Sequence, residues 1–389
     1  MKEELFKRGV VEIVGKDLLE KKIKSGKSLR VKHGVDPTTS DLHIGYVVVY
    51  LKLKELQDLG HKIVFLIGDF TARFGDPSDK GKSRNMRSKD EVLNQAKNYL
   101  DQVGKILDLK KTEIRYNGEW YDKMSAEELL HLMSNFSHAE MIERDMFQAR
   151  IKKDSRIGLH ELVYPVLQGY DSVVLNSELT VCGTDQLFNE LQGRKLQEAN
   201  GQDPQAIMTV PLLLGIDGKN KMSQSLGNYI GLNDSPDDQY GKIMSIPDDL
   251  IIDYFMLVTR VGMDRVTKYQ DEIKSGKNPM EIKKILAEEI VKMYYGEKKA
   301  IDAASKFEQI FSHKELPEEI DKFELTGNYS LPQFLVELKL AVSNSEARRL
   351  INSGAVEIDG VKITEISATI STHSGMVIKV GKRRFAKIK

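Results

Sequence analysis

Apolar positions along the first half of the chain fall into two alternating rhythms. Short runs over 29–35, 62–68 and 112–117 predict strands, and each is followed by a stretch with helical spacing. The helices are predicted over 45–59, over 91–107, and after Ser125, where Glu128 completes a capping box. Two further strands are predicted over 172–181 and 207–214, with a helix over 186–199 between them. Such alternation argues for a parallel sheet wrapped by helices, ending near residue 215. From Ser235 onward the rhythm is helical only. Ser235-Pro-Asp-Asp and Ser245-Ile-Pro-Asp-Asp have the early proline and acids of helix starts, and Asn278-Pro-Met-Glu opens a helix with Ile282, Ile285, Leu286, Ile290 and Met293 on one face. A turn-rich stretch over 325–330 separates this helical segment from a last, smaller module.

Composition narrows the class. The 389 residues allow two or three domains, and 40% apolar residues suffice for packed cores, which excludes a disordered or fibrous chain. Lys and Arg equal Asp and Glu at 58 each, so no global field draws the chain to nucleic acid or membrane. The balance is nevertheless uneven: residues 331–389 carry ten basic against five acidic side chains, leaving 48 against 53 before them. Cys182 stands alone, which excludes a disulfide framework and a cysteine-built zinc site and fits a reducing, cytoplasmic setting. No apolar run approaches the roughly 18 residues of a membrane span, and the Met-Lys-Glu-Glu start is not a signal peptide.

In a parallel α/β sheet, ligands bind beyond the carboxyl ends of the strands, so the loops there carry the candidate chemistry. The first runs from Gly34 to Tyr46. Its small residues, a following helix N-terminus and an imidazole at His43 suit a phosphate chain, although an ordinary capped turn with a surface histidine has the same composition. The second, over 69–89, holds Lys80, Lys82, Arg84 and Arg87, a cluster able to neutralise a polyphosphate or equally a solvated charge run. The third, over 218–227, is rich in Gly, Ser and Lys. It can fold over a nucleotide with Lys221, Ser223 and Ser225 reaching phosphates, or serve as an interdomain linker.

Taken in order, these loops carry a resemblance. His43-Ile-Gly-Tyr46 resembles the HIGH motif and Lys221-Met-Ser-Gln-Ser225 the KMSKS motif of class I aminoacyl-tRNA synthetases. Tyr164-Pro-Val-Leu-Gln-Gly-Tyr-Asp171 followed by Gly183-Thr-Asp-Gln186 looks like the tyrosyl-tRNA synthetase family, and residues 339–380 are similar to its bacterial S4 RNA-binding module. The resemblance implies a Rossmann-like class I catalytic domain over 1–220, a mobile loop and α-helical anticodon-binding domain over 221–327, and a small α+β S4 domain over 328–389. It implies activation of L-tyrosine with ATP and Mg2+, then transfer of the tyrosyl group to tRNA(Tyr), by a cytoplasmic homodimer with no membrane attachment and no dedicated protein metal site.

The same resemblance assigns roles. Thr38, His43, Lys80, Arg84 and Lys221 would act on the phosphates. Asp36, Gly45, Tyr46, Asp185, Ser223 and Ser225 would complete the ATP site, with Asp185 on the ribose. Gly34, Asp76, Tyr164, Gln168, Asp171 and Gln186 would form the tyrosine pocket, with Asp171 accepting from the substrate phenol. Tyr164, Gln168 and Asp171 stand at i, i+4 and i+7, one face of a helix. Arg348, Arg349, Lys382, Arg383 and Arg384 would contact RNA, with solvated surface charge as the competing reading. Four positions depart from the family pattern: Tyr46 replaces the second histidine of HIGH, Gln224 the second lysine of KMSKS, Lys32 a frequent tyrosine and Cys182 a frequent glycine. Two rivals are a tryptophanyl-tRNA synthetase, disfavoured by Asp171 and the S4-like module, and a synthetase-derived RNA-binding protein whose catalysis has decayed.

Overall fold

The computed structural model describes residues 5–38, 41–76, 87–312, 321–381 and 384–389. The chain divides into two compact units, Met1–Ala300 and Ile301–Lys389.

The first unit is built on six strands: β1 (Glu12–Val14), β2 (Arg30–Val35), β3 (Lys62–Ile67), β4 (Glu113–Tyr116), β5 (Leu179–Gly183) and β6 (Ala206–Val210). They lie in the order β1-β6-β5-β2-β3-β4. β2 through β6 pair in parallel, while β1 closes the edge antiparallel to β6, with Ile13 opposite Met208. Parallel strands are covered on both faces, and β3 and β6 accordingly read as near-continuous buried apolar runs.

Helices α1 (Lys16–Lys24), α2 (Ile44–Asp58), α3 (Lys89–Val103), α4 (Gly118–Tyr121), α5 (Ala126–Met133), α6 (His138–Ile142), α7 (Asp145–Lys152), α8 (Leu159–Val174) and α9 (Leu187–Ala199) surround the sheet. The alternation of side chains along β2 shows how they are arranged. His33 turns toward Tyr50 of α2, whereas Lys32 turns toward Ser172 of α8 and Glu190 of α9.

Two predicted strands begin or end elsewhere. Residues 172–174 extend α8 instead of starting β5. Asn176, at φ +49°, closes the helix in a Schellman motif, with Ser177 N–H donating to Ser172 O and Asn176 N–H to Val173 O. β6 stops at Val210 because Pro211 has no N–H to continue the ladder. α3 starts two residues before its predicted position, at the Ser88–Glu91 capping box.

The helical segment comprises α10 (Pro236–Met244), α11 (Ile251–Val258), α12 (Met263–Lys274), α13 (Pro279–Tyr295) and α14 (Glu297–Ser312). α10 to α13 pack within the first unit, and α14 runs from its end into the second. α11 rests against α2, which is apolar on nearly all sides because both sheet and helices cover it. Arg8 donates to the carbonyls of Phe255, Met256, Thr259 and Val261, satisfying the otherwise orphaned C-terminal end of α11. Buried Lys283 donates to Ile246 O at 2.6 Å and pairs with Asp248 at 2.5 Å.

The second unit has a five-stranded sheet in the order β10-β9-β12-β13-β7 and a pair, β11-β8. These are β7 (Asp321–Phe323), β8 (Asn328–Ser330), β9 (Val356–Ile358), β10 (Val361–Ile363), β11 (Thr369–Ser371), β12 (Val377–Val380) and β13 (Arg384–Ile388). Helices α15 (Leu331–Glu337) and α16 (Asn344–Asn352) supply Phe334, Leu335, Ala347 and Ile351 to a core shared with Val356, Ile378 and Ile388. The β9–β10 hairpin turns on Asp359 and Gly360, both at positive φ, as a two-residue loop matching strand twist requires.

Candidate active site

The sheet order reverses at β2: β3 and β4 lie on one side of it, β5 and β6 on the other. A crevice must therefore open beyond the carboxyl ends of β2 and β5, and a cavity of about 270 Å³ lies there. A wider cleft of about 570 Å³ on the second unit is lined by Arg348, Asn344 and uncharged residues. Of these two, the sheet crevice is the one that gathers carboxylates, an imidazole and lysines among the described residues, so the chemistry is sought in it.

Its deep end is made by α8. Tyr164, Gln168 and Asp171 all line the cavity, as their spacing predicts for one helix face. Asp171 is 4% exposed; its Oδ1 accepts from Trp120 Nε1 at 3.1 Å and its Oδ2 from Asn117 Nδ2 at 3.5 Å. Burial pushes this carboxyl up to about 7, against the downward pull of the Lys32 charge and of its hydrogen-bond donors.

Asp36 sits beside it. Its Oδ1 accepts from Thr71 Oγ at 2.7 Å and its Oδ2 from the Tyr164 hydroxyl at 2.9 Å. Burial raises it, too, to about 7; those two donors oppose the rise, while the charges of Asp76 and Asp171 add to it. The geometry thus joins Asp36 to Tyr164, two residues that the resemblance had assigned to different parts of the site. Gly68 makes this possible: a Cβ there would lie 2.0 Å from Asp36 Oδ1 and 2.4 Å from Thr71 Oγ.

Behind these groups runs a chain of polar side chains. Gln186 Nε2 donates to Asp76 at 3.0 Å, and Asn189 Nδ2 donates to Gln186 Oε1 at 3.2 Å and to Gln168 Oε1 at 2.8 Å. Gln168 Nε2 donates to Glu190 at 3.0 Å, and Glu190 pairs with Lys32 at 2.8 Å. Gly34 lines the cavity between these groups and β3, where no side chain obstructs it.

At the mouth, His43 is the N-cap of α2. Its Nδ1 accepts from Gly45 N–H at 3.2 Å, which leaves the proton on Nε2 as the ring's outward donor. Burial and the nearby Lys221 charge push the imidazole down to about 4, so it is neutral. Tyr46 packs on this ring at 4.5 Å. The free helix-terminal amides that a phosphate cradle requires are not available here. Ile44 N–H donates to Ile230 O, where the chain at 230–232 crosses the helix end, while Gly45 N–H donates to His43 Nδ1 and Tyr46 N–H to His43 O within the turn itself.

Lys221 lines the cavity half-exposed, 3.5 Å from Asp185, and Ser223 lines it beside them. Their loop is pinned on both sides. Met222 N–H donates to Leu213 O at 2.8 Å, Asn228 accepts from Ser223 N–H at 2.8 Å, and Gln224 donates to Asp41 O at 2.6 Å. Ser225 bonds Ser223 at 2.9 Å and stands off the cavity wall. Thr38 reaches the cavity, held by Arg87, which donates to Thr38 O at 2.7 Å and to Pro37 O at 3.3 Å. Lys80 and Arg84, like Lys382 and Arg383, lie outside the described residues. On the second unit Arg348 and Arg349 are exposed on α16, whereas Arg384 is engaged with Leu340 O at 2.6 Å and Glu346 at 3.2 Å.

The reading of the sequence missed Asn117, Trp120, Thr71 and Glu190. Asn117 had a signal, its place at the carboxyl end of a predicted strand; Glu190 had none, since only the packing of α9 on β2 brings it to Lys32.

Comparison with known proteins fits this geometry. Residues 24–312 match the family model for class I tRNA synthetases of the tryptophan and tyrosine group, and residues 308–388 match a C-terminal domain model of tyrosine–tRNA ligases. With that match, the doubly wound sheet, the polar crevice at its switch point and the lysine-bearing loop at the mouth are those of a class I synthetase. Relatives narrow this further. The tyrosine–tRNA ligase of Thermotoga maritima is 47% identical over 99% of this chain and 96% of its own length. That of Mannheimia succiniciproducens is 44% identical over 98% and 97%. The chain belongs to the tyrosine–tRNA ligase family. A truncated mitochondrial tyrosyl-tRNA synthetase from Coccidioides posadasii superposes with a TM-score of 0.62 at 25% identity, covering 78% of this chain and 90% of that one. A tryptophanyl-tRNA synthetase from Encephalitozoon cuniculi reaches 0.61 at 18% identity over 77% and 85%, a likeness of fold alone.

Proposed function

We propose that the crevice holds L-tyrosine at its floor and ATP at its mouth and joins them as tyrosyl-adenylate, the first half of tyrosine–tRNA ligation. One observation carries this reading: Asp171, buried and bonded to Trp120 and Asn117, and Lys221, on the loop at the mouth, line one cavity. The substrate phenol would donate to Asp171, and its ammonium would meet Asp76, Tyr164, Asp36 and Gln168. A carboxylate oxygen of tyrosine then attacks the α-phosphorus of ATP as the bond to pyrophosphate breaks. The nucleophile is already ionised, so the protein's task is to hold the two in line and steady the charge building on the phosphates.

His43 would donate through Nε2, with Lys221 and Ser223 beside it and Thr38, Lys80 and Arg84 on the facing loop. Asp185 would take the ribose next to Gly45 and Tyr46, and Gln186 would keep Asp76 in place. Mg2+ would enter on the phosphate oxygens of ATP. In the second step tRNA(Tyr) would take the tyrosyl group. The exposed Arg348 and Arg349 support an RNA-binding role for the module over 328–389, with the helices of 221–327 facing the anticodon. Exposed Leu130 on α5 and Leu159 on α8 support a homodimer. No helix among the described residues is long and apolar enough to cross a membrane, and a cytoplasmic setting completes the proposal.

ATP–pyrophosphate exchange with tyrosine and tryptophan side by side tests it. Exchange with tyrosine and none with tryptophan is the expected result. A tryptophan preference, or tRNA binding without any exchange, would refute the assignment.

A further inference from the structure

Lys32 and Glu190 form an ion pair that the reaction does not require. They are 1% and 2% exposed, and their charged atoms lie 2.8 Å apart. Two ions taken out of water carry a desolvation cost that their attraction often fails to offset, so a buried pair is a poor way to stabilise a fold. What the pair does to its neighbours is more specific. An ionised carboxylate can only accept hydrogen bonds, and Glu190 draws one N–H from each of two amides: Gln168 Nε2 at 3.0 Å and Gln205 Nε2 at 3.0 Å. Both amides are thereby forced to turn their nitrogen toward Glu190 and their oxygen away.

The consequences travel along the chain of side chains. With Nε2 committed, Gln168 presents Oε1 to Asn189 Nδ2 at 2.8 Å, and the same Nδ2 reaches Gln186 Oε1 at 3.2 Å. The arrangement leaves two acceptors stranded: Gln205 Oε1 and Asn189 Oδ1 are buried without a hydrogen-bond partner among the described residues. Amides free to choose their orientation would not strand two oxygens, because an unmet buried acceptor is costly. Their orientation is dictated by the charge on Glu190, and that charge is compensated by Lys32, whose ammonium is itself steadied by Ser172 Oγ at 2.7 Å.

We infer that the Lys32–Glu190 pair is a positioning device: it holds the amide of Gln168 with Nε2 on Glu190 and Oε1 on the side of Asn189, so that an acceptor and not an N–H is left for the substrate's ammonium. The inference rests on the proposed tyrosine site and adds to it the residues that set its polarity. A reversed Gln168 would aim two N–H groups at a cation, so selectivity for the amino group would collapse while the rest of the pocket stayed whole. Lys32 and Glu190 act through Gln168, not by touching the reacting atoms.

The test compares binding of L-tyrosine with that of 3-(4-hydroxyphenyl)propionate, which lacks only the amine, by titration calorimetry on the full chain. Glu190→Gln can donate as well as accept, so it unlocks the orientation. Tyrosine affinity should fall by about 10- to 100-fold, the range for losing a hydrogen bond to a charged group, while affinity for the deaminated analogue changes by less than about 3-fold. In pyrophosphate exchange the loss should appear in KM for tyrosine, with kcat at saturation kept within about 3-fold. The double variant Lys32→Met with Glu190→Leu removes both charges at once and guards against misfolding from a lone buried ion; without the Lys32 charge that holds the Asp171 carboxyl down, affinity for both phenols shifts together, and the extra loss specific to the amine should remain on top of that shift. Equal losses for both ligands, or an unchanged preference for the amine in both variants, would overturn the inference. If the unsubstituted chain binds neither ligand, the tyrosine site itself is refuted and the inference falls with it.

Discussion

Replacing Asp171 by Asn should stabilise the unliganded fold and disable the site at the same time. Asp171 is buried, and its carboxyl is pushed from 3.8 to about 7 chiefly by desolvation. At about 1.4 kcal/mol per unit, the charged form in the empty cavity is disfavoured by roughly 4 kcal/mol relative to the unfolded chain, as an upper figure. The sign follows from proton counting. Between pH 4 and pH 7 the unfolded chain gives up this proton before the folded one, so the fold holds more protons and its stability falls as pH rises, levelling off above about 8. Asn has the same shape, can accept from Trp120 through Oδ1 and cannot ionise, so the variant lacks this loss. Asp36, also raised to about 7 and raised further by the Asp171 charge, should ionise at lower pH in the variant. The pair in the parent protein titrates jointly.

Urea unfolding at a series of pH values from 4.5 to 8.5 measures the effect. The variant's advantage should grow with pH, toward roughly 4 kcal/mol at the alkaline end. The chain's single tryptophan, Trp120, donates to the carboxylate in question, so its fluorescence should report a transition near pH 7 that the variant lacks. Tyrosine affinity in the parent should rise through the same range, because a phenol donates to a carboxylate and not to the protonated acid's O–H. A stability difference flat in pH, with no fluorescence transition between pH 6 and 8, would refute the reasoning.

Two further outcomes follow from the geometry. Lys221→Ala should slow pyrophosphate exchange at saturating substrates by about 100-fold while leaving tyrosine dissociation within about 3-fold, since its contact with the phosphates strengthens only as pyrophosphate departs; equal losses in both would contradict that role. Gly68→Ala should lower the melting temperature and abolish tyrosine binding, because its Cβ would fall 2.0 Å from Asp36 Oδ1; a variant that melts and binds like the parent would show that Asp36 moves aside without cost.

How much of this was legible in the sequence depended on whether the cause was local. β3 and β6 were readable because a strand buried on both faces must be apolar throughout. β1 was not: three residues, one of them exposed, carry no period, and only pairing with β6 makes them a strand. The end of α8 was misplaced because 172–181 read as one strand, whereas the helix runs on to Val174 and Asn176 closes it in the left-handed position. The face bearing Tyr164, Gln168 and Asp171 was legible from spacing alone. Lys32 was visible as an oddity in an apolar strand, yet its partner lies 158 positions away and could be found only from the packed structure. The occupied amide of Ile44 at the start of α2 likewise depends on residues 230–232, which no local pattern connects to His43.

The two ends of the crevice are built for different demands. At the floor, Asp171, Asp36, Tyr164, Gln168 and Glu190 are bonded to one another or to fixed neighbours, so tyrosine meets a preorganised surface. At the mouth, Lys221 and Asp185 hold each other in a half-exposed pair at 3.5 Å, worth at most about 1 kcal/mol in such surroundings. That weakness has a use in the proposed reaction. When a ribose hydroxyl takes Asp185, the lysine is released toward the phosphates at little cost, and its attraction to them can grow as the leaving pyrophosphate gains charge. A tighter pair would spend that attraction on the empty enzyme. A rigid floor and an exchangeable ion pair at the mouth thus concentrate the change in binding on the phosphates, where the transition state differs most from the bound substrates.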